Sequence, residues 1–231
     1  MPAQASNLLL DKLPPDLCAR ILAASEPVEL PIRTSLFNSI EPPRHIHFIT
    51  SGIDSVVTYM ENGEGIEVGL VGREGSPEAL CLLGPAPAVN DCFIQIAATA
   101  LRIDYKRFER EFFPLDPVRR VMLQYVQYTT LLTGQIAACN RLHEVEERLS
   151  RWLLMVADRI GQPTFLLTQE FLAEMIGSRR STVTLSAGVL KRSGLITYHR
   201  GDLKILDREN LEDSACECYP ISRKLLDSLT R

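Results

Sequence analysis

From residue 167 to residue 199 the apolar positions take up a helical spacing twice, with a break between. Leu172 and Ile176 fall one turn apart with Phe171 and Met175 beside them, and a helix capped by Thr168 would bury that face. Glu stands at 170 rather than 171, so the full capping box is missing. Gly177 ends this helix where a positive φ costs least, and Ser178 is the expected cap of the next. Val183, Ala187 and Leu190 then repeat at helical spacing and face inward. Arg179, Arg180, Ser181 and Thr184 are left pointing outward at the start of this second helix. The segment closes in a strand that opens a wing. Two short helices on a tight turn, the second basic on its outer face, have the geometry of a recognition helix.

Upstream the period is different. Residues 7–25 read as a short helix broken by Pro14 and Pro15. Val28, Leu30 and Ile32 alternate, and residues 45–50 and 53–60 form β-rich runs separated by Ser51 and Gly52. Residues 61–65, ENGEG, supply a hairpin loop, and 66–71 returns as its partner strand. A second group, 93–98 and 101–105, follows a connection containing Pro and Gly at 84–87. Strands this short predict an antiparallel barrel or roll. From Pro117 there is no Gly until 134 and no Pro until 163, which is long-helix material. Along it Met122, Val126, Thr129, Thr133 and Ile136 follow a 4-3-4-3 spacing, the mark of a seam between two helices. Dimerisation is the economical explanation, and packing on the chain's own barrel is the alternative. Residues 140–144 break the pattern before Val145, Leu149, Trp152, Leu153 and Val156 begin another helix, so an interdomain hinge is expected there.

A length of 231 residues suits one large or two modest domains. The chain begins MPAQASNLLLDKLPP, without a basic segment leading into an apolar run, and Pro or charge interrupts later apolar runs short of a membrane span. A soluble cytoplasmic protein is the expectation. The net charge of -4 becomes informative once divided. Residues 1–140 carry 11 Lys and Arg against 16 Asp and Glu, whereas 141–231 carry 14 against 13. Within 168–204 six basic residues face three acidic ones, the electrostatic footprint of a DNA contact. Among the loops, Gly72 and Gly75 flank Arg73 and Glu74, a turn able to bend beside a small ligand or simply to lie in solvent.

An acidic roll, a long seam helix, a hinge and a basic helix-turn-helix with a wing, in that order, resemble the Crp/Fnr superfamily of bacterial transcription regulators. The most specific part is LTQEFLAEMIGSRRSTV through LKRSGLI, where Thr168, Gly177, Arg180, Thr182, Val183, Leu195 and Ile196 match the family pattern. The stretches ACNRLHEVEERLSRWLL and ILDRENLEDSACECY look like a branch of Crp-like regulators whose effector is generally unassigned. The resemblance implies an α+β chain: a cyclic-nucleotide-binding-like β-roll over 1–114, a dimerisation helix over 115–140 and a winged helix-turn-helix over 141–231. It implies that Arg180 reads guanine, whose O6 and N7 a guanidinium can bond together. Thr168, Gln169, Ser178 and Thr182 would hold phosphates, and His199 and Arg200 would lie along the DNA backbone. Two positions depart from the pattern. Ser181 stands where well-known members have a Glu that accepts from cytosine, and Leu185 where the cyclic-AMP regulator has a second base-reading Arg.

The effector region departs further. Cyclic-nucleotide members pair the phosphate with an arginine, whereas the matching stretch here holds Ser76, Pro77, Glu78 and Ala79 and then Val89, Asn90, Asp91 and Cys92. An acidic residue near a buried phosphate repels it, so cyclic AMP is not expected to bind well. Glu78 and Asn90 join Arg73, Glu74 and Thr133 as candidate effector residues; Thr133 aligns with the helix threonine that contacts adenine in nucleotide-binding members. An iron-sulfur cluster would need four neighbouring thiolates, and Cys18 is alone near the start. Haem stays open, with His45 and His47 read as packing and surface residues. Cys216 and Cys218 with Cys81 or Cys139 offer zinc or redox chemistry in principle, but a C-x-C pair without a nearby His is a weak signal, and no metal ligands are assigned. The effector is therefore unknown.

Two binding readings remain. In one, a dimer reads a palindromic operator and the roll senses a signal; in the other, the dimer binds DNA constitutively and the roll is a scaffold. Activation would call for a surface touching RNA polymerase, which no motif marks. An enzyme finds no support in a Walker loop, a nucleophile elbow or a usefully spaced metal-ligand set.

Overall fold

The computed structural model describes residues 7–199 and 201–230, which fall into two compact units. Of the described residues, the first comprises 7–56, 69–130 and 229–230, and the second 57–68, 131–199 and 201–228. In chain order the elements are α1 (Leu8–Asp11), α2 (Pro15–Ala24), β1 (Glu26–Leu30), β2 (Ser35–Phe37), β3 (His45–Tyr59), β4 (Gly65–Val71), a 3-10 turn (Pro77–Leu83), β5 (Asp91–Asp104), α3 (Tyr105–Glu111) and α4 (Asp116–Leu142). There follow α5 (Val145–Ile160), β6 (Thr164–Leu166), α6 (Gln169–Ile176), α7 (Arg180–Arg192), β7 (Ile196–His199), β8 (Asp202–Ile205), α8 (Arg208–Asp213) and α9 (Cys218–Thr230). Among the described residues no helix is long and apolar enough to cross a membrane.

The first unit is built on a sheet of order β1-β5-β3-β4, with β2 also paired to β5. The two runs expected on either side of Ser51 and Gly52 are one strand, β3, and the two later runs are one strand, β5. Gly52 explains the first merger. At φ +77° it bends the strand without ending it, and a Cβ there would stand 2.4 Å from the Ala97 carbonyl on β5. Ile46, Phe48 and Ile53 of β3, Ile94 of β5 and Phe108 of α3 are all 1% exposed or less. Phe48 and Phe108 pack edge to face at 5.7 Å between ring centres.

Helix α4 runs unbroken for 27 residues and carries the expected stripe. Met122, Val126 and Ile136 are buried within the single chain, Thr129 is half-buried with its hydroxyl donating to the Val126 carbonyl at 3.0 Å, and Thr133 is exposed. A 4-3-4-3 stripe says that a face is covered and not by what, and here the chain itself covers the aliphatic members. The apolar positions left in water are Leu123, Leu131 and Leu142, 46%, 53% and 75% exposed, with Gly134 and Ala138 between them.

The second unit centres on α5, whose Leu149, Trp152, Leu153 and Val156 are at most 1% exposed. Helices α6 and α7 pack on it, and β6, β8 and β7 form a three-stranded antiparallel wing. The tip of the β3–β4 hairpin, residues 57–68, belongs to this unit: Trp152 Nε1 donates to Glu67 Oε1 at 2.7 Å.

Candidate nucleic-acid interface

Thr168 starts the helix pair. Its hydroxyl accepts from the Phe171 N–H at 3.1 Å, satisfying one of the N–H groups that a helix start leaves open. Phe171, Leu172, Met175 and Ile176 then face the interior. At the other end Gly177 takes φ +60°; its N–H donates to the Glu174 carbonyl at 3.1 Å and the Ser178 N–H to the Ala173 carbonyl at 3.0 Å. These two bonds make a Schellman closure. They also correct one expectation: Ser178 finishes α6 and does not cap α7, whose N-cap is Arg179. No side chain caps α7, so its first-turn N–H groups remain available to an anion.

Val183, Ala187 and Leu190 are at most 4% exposed, which fixes the rotation of α7. Arg179, Arg180, Ser181 and Thr184 are exposed in consequence, and Thr182 is half-buried. The Thr184 hydroxyl lies 2.8 Å from the Arg180 carbonyl and 3.1 Å from Gln169 Oε1, tying the outer face of α7 to the first residue of α6. Lys191, Arg192 and Lys204 are exposed too. Leu185 is 71% exposed on the same face, an apolar side chain turned to solvent. His199 ends β7 in solvent, while Arg200 lies outside the described residues. The wing is held at its base, where the Tyr198 hydroxyl donates to the Leu167 carbonyl at 2.8 Å and burial pushes that phenol up. The result is a fixed helix start carrying two guanidiniums, open N–H groups and small hydroxyls, a surface suited to phosphate and base edges.

The roll gives a different picture for the candidate effector residues. Arg73 is exposed and Asn90 half-buried. Glu74 and Glu78 lie inside. Glu74 Oε2 accepts from the Gly72 N–H at 3.1 Å. Glu78 accepts from the His47 N–H at 3.0 Å and meets His47 Nδ1 at 2.6 Å, so both the carboxylate and the ring are engaged. That engages His47 as a packing residue, and Glu74 is buried rather than lying in a solvated turn. Asp54, fully buried nearby, takes a bond from Cys92 Sγ at 3.3 Å. Burial first, and then the charge of Glu78, push the Asp54 carboxyl well up; burial and Asp54 push the Cys92 thiol up. Thr133 donates to the Val68 carbonyl at 3.0 Å.

One constellation escaped the sequence reading. Cys139, His143, Cys216 and Cys218 come together in the second unit. The missing His partner of the C-x-C pair is His143, four residues after Cys139, a helical spacing that puts both on one face.

Comparison with known proteins places these features. Residues 147–214 match the Crp-like helix-turn-helix domain. The global nitrogen regulator of Synechococcus elongatus is 24% identical over 183 residues, 75% of this chain and 82% of that protein. The CRP-like cAMP-activated global transcriptional regulator of Mycobacterium tuberculosis is 22% identical over 204 residues, 85% of this chain and 91% of that one. Among solved structures, a transcriptional regulator assigned to the Crp/Fnr family from Eubacterium rectale has the same fold, with a TM-score of 0.70 at 16% identity, covering 89% of this chain and 96% of that chain. Residues 147–214, in which α7 turns its basic start to solvent, thus carry a Crp-like helix-turn-helix domain, and the chain is similar over three quarters or more of its length to transcription regulators of that kind.

Proposed function

We propose that two copies of the chain read a palindromic DNA operator, each through the start of α7, and that the roll adjusts this reading in response to a signal. The observation that carries the DNA reading is the fixed, exposed pair Arg179 and Arg180 on a helix start with open N–H groups. Arg180 pairs with guanine, a contact that contributes about 1–3 kcal/mol of discrimination. Thr168, Gln169, Ser178 and Thr182 hold phosphates, Ser181 and Thr184 line the groove, and His199 and Arg200 follow the DNA backbone. Leu185 suits a thymine methyl, the apolar feature of the major groove. The partner helix of the dimer packs on the exposed stripe of α4 rather than on the buried one. The chain acts in the cytoplasm by binding and not by catalysis.

The test is a footprint on sites selected from random DNA by the full chain. Two symmetric half-sites about 34 Å apart are expected. Arg179→Ala with Arg180→Ala should lower the slope of log affinity against log salt, because each guanidinium charge brought to the duplex displaces counterions. Asymmetric protection, or a salt slope that does not change, would sink the reading.

The acidic interior of the roll bears on the signal. Asp54, Glu74 and Glu78 are all at most 4% exposed, and a phosphate among them would meet repulsion. The Mycobacterium relative is named for activation by cAMP; this roll favours a ligand that is not an anion. The engaged state of Glu74, Glu78 and His47 equally supports a second reading, in which the roll is a ligand-free scaffold. A metabolite that binds the full chain and shifts its operator affinity would exclude the scaffold.

A further inference from the structure

Three thiols and an imidazole converge where α4 ends and α9 begins. Cys139 lies in the last turn of α4, His143 follows its end, Cys216 precedes α9 and Cys218 opens it. Their four candidate ligand atoms all lie within 4.8 Å of one another. Cys139 Sγ and Cys216 Sγ are 3.4 Å apart, and Cys218 Sγ is 3.6 Å from His143 Nδ1. Zinc bonds of about 2.3 Å to sulfur and about 2.0 Å to nitrogen place tetrahedral ligands ~3.8 Å apart for two sulfurs and ~3.5 Å for sulfur and nitrogen. The cluster straddles those spacings.

We propose that Cys139, His143, Cys216 and Cys218 form a structural zinc site of the Cys3His type. Zinc suits the donors, because thiolate and imidazole in a closed tetrahedral set are its structural ligands. Binding releases the thiol protons to solvent, and the imidazole coordinates as the neutral ring through Nδ1.

The surroundings fit a bound ion. His143 Nε2 lies 3.0 Å from Glu217 Oε2, so a carboxylate positions the ring and leaves Nδ1 facing the sulfurs. Gln135 Nε2 donates to Cys218 Sγ at 3.1 Å, the kind of N–H contact that a thiolate accepts. The three cysteines are at most 4% exposed, which keeps the site closed to solvent. Charge completes the case. Arg148 and Arg151 are 6% and 3% exposed, and the Nε of each has no hydrogen-bond partner among the described residues. Three neutral thiols give these guanidiniums no counter-charge, whereas three thiolates around a divalent ion carry a net negative one. A disulfide between Cys139 and Cys216 would need about 2.05 Å between sulfurs and would leave Cys218 and His143 without a role. An iron-sulfur cluster would hold its thiolates farther apart, on separate irons. The site would fasten α9 to the end of α4 beside the α4–α5 link.

The test is elemental analysis of the full chain purified without chelator, independent of any DNA measurement. About one zinc per chain is expected, retained through dialysis. Replacing it with cobalt should give the visible absorption of a tetrahedral thiolate-rich site. Cys216→Ser should drop the stoichiometry below ~0.2 per chain, while His143→Cys should keep the metal and shift the cobalt bands toward an all-thiolate spectrum. Circular dichroism confirms that the variants are folded, and the cobalt shift in His143→Cys reports coordination even if Cys216→Ser unfolds. A folded, reduced chain that takes up no zinc or cobalt on reconstitution overturns the proposal, as does bound iron or a Cys139–Cys216 disulfide in the native protein.

Discussion

Asp54 is a buried carboxyl on β3. It is fully buried, its Oδ1 has no hydrogen-bond partner among the described residues, and Glu78 and Glu74 add like charge. The folded chain therefore holds the Asp54 proton more tightly than the unfolded chain does. Its contribution to stability is full below the ordinary carboxylate pKa of about 4 and is lost as pH rises toward the raised native value. Asp54→Asn keeps an acceptor for Cys92 and removes the titration. Urea unfolding between about pH 4 and about pH 8 should show a shallower decline for the variant. An identical slope in both proteins would mean that Asp54 ionises normally. None of this was legible in the sequence, where Asp54 is one polar residue in an alternating strand and nothing shows that Glu78 returns from a distant turn to face it.

The helix pair is where local sequence decided local structure. Thr168 as cap, Gly177 in the left-handed region and the inward set Val183, Ala187 and Leu190 are short-range features, and the chain follows each. Ser178 differs from the expected cap because one residue can satisfy the end of α6 or the start of α7, and the Schellman bond takes it. The stripe on α4 is a different case. Periodicity identifies a face, while only tertiary packing decides whether that face meets the chain or a partner. Gly177→Ala tests how firmly the turn sets the recognition helix. At φ +60° an alanine is disfavoured, and its Cβ would stand 2.3 Å from Ile66 Cδ1. A loss of about 1–3 kcal/mol is expected in denaturant unfolding, together with weaker operator binding. Gly177→Asn, which tolerates this conformation better, should lose less.

For the whole molecule, the order of elements was readable because each announces itself by period: alternating strands, a long uninterrupted helix, two short helices and a wing. The cysteine cluster was not, since Cys139 and Cys216 stand 77 residues apart and only folding brings them together. The exposed stripe of α4 carries the prediction for assembly. Leu131→Glu places a charge on its centre without entering the chain's core. Sedimentation should show the dissociation constant of the dimer raised at least ~10-fold, about 1.4 kcal/mol, with helix content unchanged. A Leu131→Glu chain that remains as dimeric as the parent would place the partner elsewhere. The bond from Trp152 to Glu67 has a practical consequence of its own. Trp152 is the only tryptophan in the chain and is 1% exposed. Its fluorescence is therefore a built-in, label-free reporter of the hairpin tip: emission should be blue-shifted while the indole is enclosed. Any signal that draws the 57–68 loop away should redden it, so candidate ligands can be screened by the colour of one residue.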